Sequence, residues 1–241
     1  MKKLILIAGA ALCCVALILV SVGVTIAWFT DAKETTNVFT AGDVTIRLTE
    51  LNPENDVIDV TDHGVQMDYG HVYPGREITK NTTVTNIGSE DAYVAAEIVI
   101  LDGDHDINSA LKIPGESGTK TSLDEFFFGG VWGEEFRRVE SEKAYLVVYE
   151  SEHYIIQYDT RMTDGFWINI FRKDILKSGE ELDLMGGFTF PATWENEQML
   201  ECTDLRISMK VFAAQGAGFT SCTEAIKTAF GTEFGIPDDI E

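Results

Sequence analysis

From Leu4 to Ala27 the chain carries no charged residue, and the basic pair Lys2-Lys3 stands in front of that run. A basic start, a long apolar stretch and a small residue at its end read as an export signal. Thr25-Ile26-Ala27 offers the small-residue cut site, so cleavage falls between Ala27 and Trp28. The run is also long enough to span a bilayer if it stays uncut. Beyond it the apolar positions fall into a period of two. Val44-Thr45-Ile46-Arg47-Leu48-Thr49-Glu50 alternates without a break and predicts a half-buried strand with Val44, Ile46 and Leu48 inward.

The same period recurs along the chain. Glu77 to Ile87 predicts a strand with Ile78 and Val84 inward. Ala92 to Leu101 is almost wholly apolar and predicts a central strand, joined to the previous one as a hairpin through Gly88 to Asp91. Ala144 to Tyr149, His153 to Tyr158, Gly165 to Phe171, Leu182 to Phe190 and Leu205 to Ala213 predict five more strands. Residues 51–72 read as an acidic loop, and 102–142 as an insertion between strands with a short helix or packed loop near Phe126-Phe127-Phe128. At the end, Ser221-x-x-Glu224 is a capping box before Ala225, Ile226, Ala229 and Phe230, with Gly231 as the stop. Many strands at short spacing without alternating helices predict an all-β, antiparallel β-sandwich. The expected organisation is a signal or membrane helix over 1–27, a sandwich over 28–216 and a short helix with tail over 217–241.

Charge narrows the partners. The chain has 40 acidic and 18 basic residues, a net −22 at pH 7. Such a surface repels nucleic acid and anionic head groups. Two cysteines lie outside the leader, Cys202 and Cys222. An exported protein permits a disulfide between them, and two separate buried thiols are the other reading.

Catalytic chemistry leaves little trace. None of the four histidines, His63, His71, His105 and His153, stands in H-E-x-x-H, and no G-x-S-x-G elbow is present. Asp102, Asp104 and Asp106 place carboxylates at alternate positions, as at the start of a calcium loop. Ile107 and Ile113 stand where that loop needs Gly and a bidentate Glu, so a solvated acidic turn is the favoured reading and calcium the only cofactor in view.

Four stretches together resemble one family. They are Ala27-Trp28-Phe29-Thr30-Asp31; Asn37-x-Phe39-Thr40-Ala41-Gly42-Asp43; Tyr73-Pro74-Gly75-Arg76 with Lys80 and Val84 to Ser89; and Val211 to Gln215 with Gly218-Phe219 before the last helix. This pattern is similar to the TasA/camelysin family of Gram-positive exported proteins. The resemblance implies a jelly-roll sandwich, a leader removed by a SipW-type signal peptidase, and a secreted or cell-surface location. For the TasA branch it implies a subunit of biofilm matrix fibres, self-assembling and joined by accessory matrix proteins. The donor segment would then be Trp28 to Phe39, with Trp28, Phe29, Val38 and Phe39 as its apolar anchors. For the camelysin branch it implies a cell-surface metallo-endopeptidase, and an uncut leader would make a membrane-anchored adhesin.

Overall fold

The computed structural model describes residues 43–60, 68–101, 107–200, 202, 205–231 and 234–235, within one compact unit, Gly42–Glu241. The leader, the Ala27–Trp28 cut and the donor segment Trp28 to Phe39 lie outside them, as do Asp102, Asp104 and Asp106.

In chain order the elements are β1 (Ile46–Leu51), β2 (Val57–Val60), β3 (Glu77–Asn86), β4 (Ala92–Leu101), β5 (Leu111–Lys112), β6 (Thr121–Ser122) and α1 (Leu123–Phe126). They continue with β7 (Phe127–Phe128), β8 (Arg137–Val139), β9 (Leu146–Glu150), β10 (Tyr154–Asp159), β11 (Gly165–Arg172), β12 (Glu181–Thr189), α2 (Asn196–Leu200), β13 (Arg206–Gln215) and α3 (Cys222–Phe230). One sheet has the order β2-β1-β3-β12-β7 and the other β13-β4-β11-β10-β9-β8. Every pairing in both is antiparallel, and only the small β5–β6 pair is parallel. The main core draws on both sheets, with Ile78, Val84, Leu182 and Phe188 from one and Val94, Ile98, Ile156 and Ile168 from the other. The fold is therefore an all-β antiparallel sandwich.

The central strand β4 explains its own sequence. Val94, Ala96, Ile98 and Ile100 face the main core, while Tyr93 and Ala95 face a second cluster under α3. Where α3 covers its outer face the strand is buried on both sides, so its apolar run does not alternate there.

Two expectations are corrected. β3 and β4 do not form a hairpin: β3 pairs with β1 and β12, and β4 with β11 and β13. The turn between them carries the chain from one sheet to the other. Asn86 fixes it, donating from Nδ2 to the carbonyls of Glu90 and Leu176 and accepting from the Gly88 amide on Oδ1. A Cβ at Gly88 would lie 2.3 Å from the Asp43 carbonyl oxygen, so glycine is required there. The acidic loop at 51–72 also contains a strand, because β2 pairs with β1 from Leu48↔Val60 to Leu51↔Val57. The Asn52 side chain closes that hairpin by accepting from the amides of Glu54 and Asp56.

Residues 107–139 contribute to both sheets. β7 borders one and β8 the other. Phe126 and Phe127 enter the core, and Phe126 packs against Phe188, Phe190 and Trp194 at centroid distances of 5.4, 5.7 and 6.5 Å.

Candidate functional site

Sheet edges are where a sandwich can pair with another chain, because an edge strand keeps a row of outward N–H and C=O groups. The edges differ greatly in length. β2 has four residues, β7 two and β8 three, and Arg137 and Arg138 of β8 are both exposed. Short strands discourage pairing. β13 has ten residues and pairs with β4 along all of them, from Arg206↔Leu101 to Gln215↔Ala92. Among the described residues no strand lies on its other side.

Side chains on β13 divide by face. Ile207, Met209, Val211 and Ala213 turn inward and are only partly buried against the main core. Arg206, Ser208 and Lys210 are exposed on the opposite face. Lys210 lies 3.7 Å from the buried Glu97 carboxylate while its own side chain is 65% exposed. In a chain of net −22, two cations on one edge strand form a local attractive spot for an acidic partner.

The C-terminal helix flanks this edge. The Ser221 hydroxyl caps it by accepting from the Glu224 amide, and the Glu224 carboxylate accepts from the Thr220 amide and hydroxyl. Those bonds hold the Glu224 carboxyl below its usual range. Phe212 of β13 meets Phe230 and Phe234 edge-on at 5.1 and 5.0 Å.

The cysteines are not brought together. Cys202 is buried in the main core and Cys222 in the cluster beneath α3, and no disulfide joins them. Of the two readings of these cysteines, the structure shows two separate buried residues on opposite sides of the six-stranded sheet. The Cys222 thiol donates to the Val94 carbonyl, and burial pushes its pKa up to about 12. It stays neutral at pH 7 and is a weak nucleophile there.

One buried feature was not among the expected sites. Glu50 of β1 and Lys80 of β3 are 6% and 8% exposed and meet at 2.6 Å inside the sandwich. The Thr82 hydroxyl donates to the second carboxylate oxygen at 3.3 Å. Nearby, the Tyr69 hydroxyl donates to the Leu51 carbonyl at 3.2 Å. Burial, and then the Glu50 charge, raise the Tyr69 pKa to about 12.

Among the described residues, the fold is an antiparallel sandwich with one long edge strand, β13. Residues 1–112 match the model of a family described as camelysin metallo-endopeptidase. This match bears out the resemblance to the TasA/camelysin family. No curated protein and no solved structure matches the chain.

The family description implies a catalytic metal. Among the described residues no group of three or more His, Cys, Asp or Glu side chains is placed to hold one. His71 is exposed beside β3. His153 is bound through Nδ1 to Asp174 at 2.7 Å, and that bond, followed by the charges of Glu134, Asp174 and Glu152, raises its pKa. One imidazole and one carboxylate fall short of the three protein ligands that a catalytic zinc takes, so the described residues do not fit the metal.

Proposed function

We propose that the chain is an exported structural subunit that assembles into a surface or matrix fibre. Residues Trp28 to Phe39 of one copy add as a strand to β13 of the next. The observation that carries this reading is the ten-residue edge strand β13, beside three edges of four residues or fewer. One donor and one acceptor per subunit give head-to-tail contacts, which grow as open filaments unless the rotation closes a ring.

Magnitudes say where the affinity comes from. Strand addition over ten residues makes about ten backbone hydrogen bonds, each worth about 1 kcal/mol net. Association costs about 4–15 kcal/mol. The backbone alone therefore comes close to break-even. Burying Trp28 and Phe29 adds about 2–3 kcal/mol each. The donor carries Asp31 and Glu34 against one Lys33, a net −1 that faces Arg206 and Lys210 on the acceptor. Removing the leader frees the donor, so assembly follows export.

Protein beginning at Trp28 is expected to polymerise, read by sedimentation and electron microscopy. A form lacking Trp28 to Asn37 should remain monomeric at the same concentration. Equal monomer content in the two forms would overturn the proposal.

A further inference from the structure

Exposed apolar side chains scattered singly over a surface are ordinary. Here they are grouped. Among the described residues, the large ones left exposed are Val57, Tyr73, Ile87, Leu101, Ile175 and Leu200. All lie at strand ends or in the connections beyond them, and none lies midway along a sheet face. Register assigns each to one of two ends of the sandwich. At the first, Leu51 stands opposite Val57, Glu77 opposite Thr189, and Leu101 opposite Arg206. Val57, Leu101, Tyr73 before β3, and Leu200 between β12 and β13 share this end. At the second, Ile46 stands opposite Asn86, and Ala92 opposite Gln215. There Ile87 follows β3, and Ile175 lies against Gly216, just past β13.

The chain's leading segment joins the sandwich at the second end. The Asp43 amide donates to the Ser89 hydroxyl, and the Asp43 carbonyl accepts from the Glu90 amide. Both bonds belong to the turn that carries Ile87. Only Thr40-Ala41-Gly42 stand between Phe39 and Asp43, a reach of about 13 Å. For Trp28 to Phe39 to lie along a neighbour's β13, one end of that strand must come this close. With the Arg206 end at the junction the donor runs antiparallel to β13, and with the Gln215 end it runs parallel. Every pairing in the two large sheets is antiparallel, the more stable kind per residue. The neighbour's Arg206 end is its first end, with Val57, Tyr73, Leu101 and Leu200.

We propose that subunits stack end to end, the Ile87 and Ile175 end of one copy seated on the Val57, Tyr73, Leu101 and Leu200 end of the next. Stacking presupposes the strand addition proposed above and adds to it a second contact and a direction. Apolar surface on both sides of the junction leaves water, which supplies affinity that backbone bonds alone lack. The two ends differ, so the contact is heterologous and the stack is polar.

Protein beginning at Trp28 is prepared with Ile87→Glu at one end, Val57→Glu at the other, or Asn81→Glu midway along β3 as a charge control. All three side chains are exposed, so each variant should keep the wild-type unfolding midpoint. Ile87→Glu and Val57→Glu should each raise the concentration at which polymer first forms by about tenfold or more. Asn81→Glu should leave it unchanged. The two end variants, mixed where neither polymerises alone, should form a one-to-one dimer by sedimentation, because each keeps one intact end. Polymers indifferent to both end substitutions would overturn stacking and leave strand addition standing. A mixture that stays monomeric, or an Asn81→Glu effect as large as the others, would also overturn it. Wild-type protein that never polymerises removes the assembly reading and this contact with it.

Discussion

Lys80→Met is expected to destabilise the sandwich by about 3–5 kcal/mol. Lys80 and Glu50 are both buried, and the substitution leaves the Glu50 carboxylate inside with only the Thr82 hydroxyl as partner. A buried charge without its counter-ion carries nearly its full desolvation cost. The change itself is nearly volume-conserving, so lost packing contributes little. Glu50→Leu with Lys80→Met should recover most of the loss, because two apolar side chains replace the pair and nothing charged remains inside. Urea unfolding of the single and double variants separates the two effects. A single variant within about 1 kcal/mol of wild type would show that water reaches the pair.

Phe126→Ala is expected to cost a similar amount, about 3–5 kcal/mol. The side chain is fully buried, and four aromatic rings surround it: Phe127, Phe188, Phe190 and Trp194. Phe188 belongs to β12, whereas Phe126 belongs to the segment between β4 and β9. That ring therefore fastens the segment to the five-stranded sheet. Removing it leaves a cavity that the rigid neighbours cannot fill. Phe126→Leu should cost clearly less. Thermal unfolding checks the order, and equal midpoints for Phe126→Ala and wild type would mean that the segment contributes no packing.

How much of this was legible in the sequence depends on whether the cause was local. β4 was readable as a central strand, because a run apolar at all but Glu97 and its end is buried along most of both faces. β13 was readable from Leu205, Ile207, Met209 and Val211, and α3 from its Ser221 cap and Gly231 stop. The buried ion pair was half visible. Glu50 falls in phase with Ile46 and Leu48, and Lys80 in phase with Ile78 and Val84, so the alternation itself places both charges inside. β2 was hidden because Val57 to Val60 is short and flanked by acidic and turn residues, and only its pairing with β1 makes it a strand. The hairpin expectation failed because neighbours in sequence usually pair, whereas here the Asn86 turn crosses between sheets. The separation of Cys202 from Cys222 depends on the face of the six-stranded sheet against which each flanking segment packs. No single stretch of sequence encodes that.

The assembly reading and the edge meet in one observable, the backbone of β13. Hydrogen–deuterium exchange on protein beginning at Trp28, compared before and after polymerisation, measures it directly. The outward amides between Arg206 and Gln215 should become protected in the polymer, while those of β8 keep their exchange rates. Polymers that form with β13 exchange unchanged would contradict strand addition at this edge.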